Sequence, residues 1–249
     1  MMAIDLAVIG GTGVYKLAGL QWLEALTLET MYGAPSGPIR IAKIGEQRIA
    51  FLARHGEAHA LPPHKVNYRA NLKALKDLGA ASILAINTVG GITEHYGPRV
   101  LAVPDQIIDY TWGRISTLSE ELGSEVLHVD FTEPYSEQLR QSLIQACERA
   151  QVSVVVDGCY AATQGPRLES RAEILRLKRD GCDLVGMTGM PEAGLARELG
   201  LDYASLCVVA NWAAGCDPDH AEITLQEVLA NVESVSDCLL PIIKQLLKP

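Results

Sequence analysis

An arginine and a histidine stand side by side directly after an apolar run, in the segment Arg54-His55-Gly56. Arginine offers a planar fork of donors and histidine an adjustable one, so the pair could hold an oxyanion such as phosphate. The same pair in a solvated turn would bind nothing, and an isolated pair does not decide between the two. We therefore treat Arg54 and His55 as candidate anion ligands.

Three turns that combine threonine with glycine follow three other apolar runs, at 10–13, 87–91 and 188–189. Glycine lets backbone N–H groups approach an anion, and the hydroxyl adds a donor. The first turn, GGTG, lacks the full GxGxxG spacing, and no acidic residue follows about 20 positions later as in dinucleotide-binding folds. We expect these turns to converge on one anion.

The apolar runs and turns predict an α/β fold. Residues 183–212 form its best-defined unit, a strand, a helix and a second strand that delivers Asn211 at the edge where ligands of open α/β sheets gather. Along the last helix, Leu225, Val228, Leu229, Val232 and Val235 are spaced to pack against the sheet. The predicted strands are 4–9, 40–44, 47–53, 81–86, 99–103, 106–108, 152–156, 159–163, 184–187 and 204–209, and the predicted helices are 64–78, 136–150, 170–180, 191–200 and 223–247.

Composition narrows the class of protein. The 249 residues are 48% hydrophobic and contain no linker-like stretch, which predicts one domain over 1–249. A net charge of -9 without a Lys/Arg cluster argues against a nucleic-acid surface. The six cysteines lack metal-ligand spacing and are typical of reduced cytoplasmic thiols, so we expect no metal. No apolar run is long enough to span a membrane.

Taken together, spaced motifs resemble those of the nucleoside phosphorylase family, and most closely its methylthioadenosine phosphorylase branch. The motifs are GlyGlyThrGly at 10–13, ArgHisGly at 54–56, ProHisLysValAsnTyrArgAlaAsn at 63–71, GlyProArgLeuGlu at 165–169 and GlyMetThrGlyMetProGlu at 186–192. The resemblance covers nearly the whole chain. It implies a single α/β domain with a mixed central sheet flanked by helices, and usually a homotrimer. It also implies cleavage of a purine nucleoside by inorganic phosphate as co-substrate, without metal or organic cofactor.

Residue by residue, the resemblance implies roles for the matching positions. Met187 would lie against the ribose, and His128 falls where the family sends a residue across the subunit boundary to the neighbour's 5' pocket. The implied phosphate ligands are Thr12, Arg54, His55, Thr88 and Thr188. The candidate substrate-binding residues are Val89, His128, Glu169, Met187, Asn211, Trp212, Ala213, Ile223 and Leu225, and the candidate catalytic residues are His55 and Asn211.

Three departures from the methylthioadenosine branch bear on the base. That branch has Asp at the positions of Asn211 and Ala213, which suits a 6-aminopurine, and a small residue at Glu169. Here the amide of Asn211 can donate to N7 or O6, Ala213 offers no acceptor, and Glu169 can accept the N1–H that only a 6-oxopurine carries. A base with the wrong donor pattern would leave buried polar groups unpaired, at a cost of about 1–3 kcal/mol each. As turn and helix-start residues, Asn211 and Glu169 would need no ligand.

The 5' end of the sugar leaves alternatives open. Ile223 and Leu225 would suit a methylthio group, whereas the nearby His220 would suit a 5'-hydroxyl. We favour the apolar pocket, and so expect phosphorolysis of methylthioinosine to hypoxanthine and 5-methylthioribose 1-phosphate, a purine-salvage reaction. The alternatives are a 6-oxopurine nucleoside phosphorylase, a methylthioadenosine phosphorylase and, more distantly, a non-catalytic nucleotide-binding module built on GGTG.

Overall fold

A mixed β-sheet lies at the centre of the computed structural model, which describes residues 4–11, 13, 15, 17, 19–120, 126–219 and 221–248. Its strands are β1 (Leu6–Gly10), β2 (Gln21–Leu26), β3 (Ile39–Ile44), β4 (Gln47–Ala53), β5 (Ser82–Gly91), β6 (Leu101–Ala102), β7 (Gln106–Asp109), β8 (Cys159–Ala162), β9 (Leu184–Gly186) and β10 (Asp202–Trp212). The helices of this part of the chain are α1 (Tyr68–Asp77), α2 (Glu137–Arg149), α3 (Arg171–Arg179), α4 (Gly189–Glu198) and α5 (Leu225–Leu246).

Strand β5 is the central strand, because three strands pair with it. The strand order is β2-β3-β4-β1-β5-β9-β8-β7, and β10 pairs with β5 along its whole length. Strands β1, β4, β5 and β10 run parallel, while β9 runs antiparallel to β5. The carboxyl ends of β1 and β4 therefore meet beside β5, and β5 and β10 continue beyond them.

Alternating side chains of β1 face two different hydrophobic cores. On β1, Leu6 and Val8 face one core with α2 and α5, and Ala7 and Ile9 face the other with α1 and α4. This period of two is what a strand buried on both faces requires. The expected α/β fold with a mixed sheet flanked by helices is confirmed. Among the described residues, no helix combines the length and apolarity needed to cross a bilayer.

Two sequence predictions are wrong in detail. Residues 152–156 form no strand, since only an isolated bridge joins Val155 to Ala102. Leu225 and Leu229 do not pack on the sheet, because their side chains are 72% and 60% exposed; of the positions expected to face it, Val235 is buried. The helical spacing is right, but the core contacts of α5 begin further along the helix, at Val232 and Val235.

Candidate active site

Strand register brings the candidate anion ligands to one level of the sheet. Gly10 lies opposite Ala53, and the next backbone N–H, that of Arg54, donates to the Gly10 carbonyl at 2.8 Å. On the other side of β5, the turn after β9 lies beside Asn87, whose Nδ2 donates to Thr188 Oγ1 at 2.8 Å. Thr12, the other predicted phosphate ligand, falls outside the described residues.

Arg54 is not a free cation. Its Nε and Nη2 donate to Oε2 and Oε1 of Glu192 at 2.7 and 2.8 Å, and Nη1 donates to the Ile86 carbonyl at 3.2 Å. The two side chains are 2% and 0% exposed, and the Tyr203 hydroxyl donates a further bond to Glu192 at 2.9 Å. Burial alone would lower the pKa of Arg54, but the facing carboxylate outweighs it and raises the pKa. Guanidinium carries five N–H donors, so two are left for an anion.

His55 is neutral at physiological pH. Burial lowers its pKa to about 4, although the bond to the Leu61 carbonyl opposes the shift. Nδ1 lies 2.8 Å from that carbonyl oxygen, which can only accept, so Nδ1 carries the proton and Nε2 presents a lone pair. His55 can thus accept a proton or hydrogen bond at Nε2, as a general base or as an acceptor for a protonated phosphate oxygen.

A buried chain of hydrogen bonds orients the Thr188 hydroxyl. Ser205 Oγ donates to Asn87 Oδ1 at 2.9 Å, and Asn87 Nδ2 donates to Thr188 Oγ1. All three side chains are buried. Since Thr188 Oγ1 accepts from Asn87, its own O–H remains available to a ligand. Thr88, the residue after Asn87, is exposed and free to contribute its hydroxyl.

The candidate base-binding residues lie further along β5. Asn211 pairs with Gly90, where a bulge in β10 re-aims its side chain, and an added Gly90 Cβ would stand 3.4 Å from Asn211 Nδ2. Gly90 lies two positions after Thr88, which is roughly 7 Å along the strand. That spacing leaves room for a ribose between a phosphate and a purine. Asn211 Nδ2 donates to the Trp212 carbonyl at 2.7 Å, and its second N–H remains.

The neighbours of Asn211 divide between two faces of the strand. Ala213 is buried and donates its N–H to the Gly91 carbonyl at 2.8 Å, and Val89 is buried opposite Val209. The Trp212 ring packs over Gly97 instead, where an added Cβ would stand 3.1 Å from it. Trp212 therefore adjoins Asn211 through its carbonyl rather than its ring.

Glu169 precedes α3 but does not cap it. Ser170 and Glu173 form the capping box of that helix, so the helix start needs no further carboxylate. Glu169 Oε1 instead accepts a hydrogen bond from Thr163 Oγ1 at 2.6 Å. Glu169 is therefore not needed as a cap, and its side chain is tied to the residue that follows β8.

Met187 lies between the candidate phosphate and base levels. It immediately precedes Thr188 and packs against Gly165, whose φ is +58° and whose added Cβ would come 2.4 Å from Met187 Sδ. Only glycine tolerates both the positive φ and this contact. Arg114 holds the same turn, because its Nη1 donates to the Met187 carbonyl at 2.8 Å and its Nη2 to the Gln164 carbonyl at 2.8 Å.

The remaining candidates lie away from this cluster within one chain. His128 is exposed in an irregular segment, and no hydrogen bond among the described residues joins it to the strand ends. Ile223 is half-buried, and Leu225 is exposed at the start of α5. Asn231 fastens α5 to the Ala210 carbonyl at 2.8 Å, so Leu225 lies about 9 Å along the helix from the strand that carries Asn211.

Sequence reasoning missed the side chains that hold the candidate ligands. These are Asn87, Arg114, Thr163, Glu192, Tyr203 and Ser205. A weak signal existed for Glu192 alone, an acidic residue in the apolar first turn of α4, but the helix dipole accounts for such a residue equally well. Within the described ranges, no group of three or more His, Cys, Asp or Glu residues could hold a metal ion.

Comparisons with known proteins point to one family. A family model described as the phosphorylase superfamily matches residues 5–248. A Xanthomonas campestris protein named probable S-methyl-5'-thioinosine phosphorylase is 64% identical over 98% of this chain and 97% of its own. A Thermococcus kodakarensis protein named probable 6-oxopurine nucleoside phosphorylase is 45% identical over 88% of this chain and 84% of its own. The structure of methylthioadenosine phosphorylase from Schistosoma mansoni in complex with adenine matches with a TM-score of 0.93 and 32% identity, over 98% of this chain and 91% of that one.

Proposed function

The chain belongs to the phosphorylase superfamily and is a pentosyltransferase of the purine nucleoside phosphorylase type, and we propose that its preferred substrate is S-methyl-5'-thioinosine. Phosphate converts this nucleoside to hypoxanthine and 5-methylthioribose 1-phosphate. The reaction uses inorganic phosphate as co-substrate and no metal or organic cofactor. Family membership favours this enzyme over a non-catalytic nucleotide-binding module.

The observation that carries the proposal is the set of donors and acceptors at the base end. Glu169, released from helix capping, presents a carboxylate that accepts N1–H of a 6-oxopurine. The free N–H of Asn211 donates to N7 or O6, and Ala213 supplies no acceptor for an amino group. A 6-aminopurine would meet this carboxylate with the lone pair of N1, leaving both groups unpaired.

The proposed mechanism follows from the spacing along β5. Phosphate is held by Thr12, Arg54, His55, Thr88 and Thr188, and it attacks C1' as the glycosidic bond breaks through an oxocarbenium-like transition state. Met187 packs against the ribose between the two levels. Asn211 stabilises the negative charge that develops on the departing base, while Glu169 keeps N1 protonated. Positioning and fixed donors supply most of the acceleration.

For the 5' end we propose an apolar pocket that is completed by assembly. Ile223 and Leu225 receive the methylthio group, and His128 reaches the same pocket in a neighbouring subunit of a homotrimer. Two observations support this arrangement: Leu225 is exposed at the start of α5, and His128 follows the exposed apolar residues Val126 and Leu127. Light scattering coupled to gel filtration tests the trimer; a monomer with full activity would exclude a shared pocket. A cytoplasmic location stays a prediction.

A three-substrate assay tests the proposed function. Phosphorolysis rates are compared for methylthioinosine, methylthioadenosine and inosine at equal concentration and saturating phosphate. We expect methylthioinosine to be fastest. Preference for methylthioadenosine would contradict the assigned base contacts, and preference for inosine would contradict the apolar 5' pocket. An Asn211→Asp variant should shift activity toward the adenine compound, because Asp accepts where Asn donates.

A 6-oxopurine nucleoside phosphorylase without preference for the thio sugar is the second candidate. The relative from Thermococcus kodakarensis carries that name, and the same base contacts suit both activities. Comparison of methylthioinosine with inosine decides between the two, since these substrates differ only at the 5' position.

A further inference from the structure

Thr163 occupies a junction between the base and ribose regions of the site. It directly follows β8, and its backbone N–H donates to the carbonyl of Gly186, the last residue of β9, at 2.8 Å. Arg114 Nη2 donates to the Thr163 carbonyl at 3.1 Å. The backbone of Thr163 is therefore fixed on both sides, relative to the strand end that leads into Met187.

The Thr163 hydroxyl has one proton and two acceptors within reach. Oγ1 lies 2.6 Å from Glu169 Oε1 and 3.2 Å from the Gly186 carbonyl. A carboxylate is the stronger acceptor, and the shorter distance agrees, so the proton is directed to Glu169. Oε1 of Glu169 is thus occupied, and Oε2 takes part in no hydrogen bond among the described residues.

We propose that Thr163 is a positioning residue that enforces discrimination between 6-oxopurine and 6-aminopurine substrates by holding Glu169 in place. This inference rests on the proposed function. Glu169 is only half-buried, so without an anchor it could turn toward water when an adenine base presents the N1 lone pair. The hydrogen bond from Thr163 prevents this reorientation, so Oε2 stays directed at N1 of the base. There it accepts a hydrogen bond from N1–H of hypoxanthine and is repelled by the N1 lone pair of adenine.

The test uses a matched pair, Thr163→Val, which keeps the shape without the hydroxyl, and Thr163→Ser, which keeps the hydroxyl. The quantity measured is the ratio of kcat/KM for methylthioinosine to kcat/KM for methylthioadenosine. A hydrogen bond to a charged group corresponds to about a 10- to 100-fold effect, so we expect T163V to lower the ratio by that factor. T163S should restore the ratio to within about threefold, and KM for phosphate should stay unchanged in both.

A double-mutant cycle shows whether Thr163 acts through Glu169. In a Glu169→Ala background, Thr163→Val should leave the ratio unchanged, because the group that it positions is gone. Melting temperatures identify a variant that is merely unstable, and Thr163→Ala then serves as the second hydroxyl-free variant.

Two kinds of failure are distinguishable. In the first, the wild-type enzyme prefers methylthioinosine, but the Thr163 variants do not behave as expected. T163V and T163A keep the wild-type kcat/KM ratio, T163S loses it, or T163V still lowers it in the Glu169→Ala background. Any of these results overturns only the role of Thr163. If the wild-type enzyme prefers methylthioadenosine, the proposed function is wrong, and the inference falls with it.

Discussion

Replacement of Glu192 by Gln should strongly destabilise the folded protein. Glu192 is completely buried and accepts three hydrogen bonds, two from Arg54 and one from Tyr203. Gln would keep one acceptor oxygen but set an NH2 group against an arginine that stays charged. Leaving a buried charge without its partner costs about 3–5 kcal/mol. The free energy of unfolding of a typical protein is only about 5–15 kcal/mol, so this loss is a large share of it.

Urea unfolding in phosphate-free buffer measures this cost. The control variant is Glu46→Gln. Glu46 forms a surface ion pair with Lys43, and its side chain is 95% exposed. This variant should unfold at the same urea concentration as the wild type. Added phosphate should narrow the gap for E192Q, because an anion at the two remaining donors of Arg54 replaces the lost counter-charge. An E192Q variant within about 0.5 kcal/mol of wild type would refute the claim that this pair is a desolvated ion pair.

Three further predictions concern residues around the same site. His55→Asn keeps a donor for the Leu61 carbonyl but does not titrate. As the pH falls from 6.5 toward about 4, the wild type should lose stability because His55 gains a proton only in the unfolded state, and the variant should lose less. Equal slopes of unfolding free energy against pH in the two proteins would contradict this. In Arg114→Lys, a single ammonium group cannot bond both the Met187 and the Gln164 carbonyls as Arg114 does. In steady-state assays, kcat/KM for the nucleoside should therefore fall by about 100-fold. An unchanged value would show that these two hydrogen bonds are not needed to position Met187. Asn87→Asp would force the Thr188 hydroxyl to donate to the new carboxylate instead of to phosphate. KM for phosphate should therefore rise roughly 10-fold or more, while KM for the nucleoside changes little. Equal changes in both KM values would show that Asn87 does not direct the Thr188 hydroxyl toward phosphate.

Local pattern predicts elements well where the chain itself supplies the reason. The hairpin of β3 and β4 flanks a Gly-Glu turn, and both strands are where alternation and β-branched residues indicate. The extension of β5 through Gly90 and Gly91 was not predictable in this way, because glycine favours no strand. Pairing with β9 and β10 creates it. Leu225 illustrates the converse: its helical spacing is correct, but the tertiary fold leaves the first turn of α5 exposed.

In the candidate site too, residues that follow a local pattern were predictable and side-chain contacts between distant parts of the chain were not. Thr188 and Asn211 were predictable because each follows an apolar run, and parallel strands bring such ends together. The partner of Arg54 was not, since Glu192 lies 138 residues away. Glu169 lies only six positions after Thr163, yet that contact too depends on how the loop between them folds. Side-chain partners follow from tertiary packing, which one sequence does not display.

These partners change the electrostatic character expected of the site. From the sequence, Arg54 and His55 are expected to act as hydrogen-bond donors to an oxyanion. In the folded chain, Glu192 neutralises the charge of Arg54, and burial keeps His55 uncharged at neutral pH. We therefore expect phosphate recognition to depend less on net charge than on the number and direction of fixed donors, such as the Thr188 hydroxyl that Asn87 orients. Such donors need no reorganisation as charge moves from phosphate toward the leaving base, which is the property that a transition state with separated charges requires.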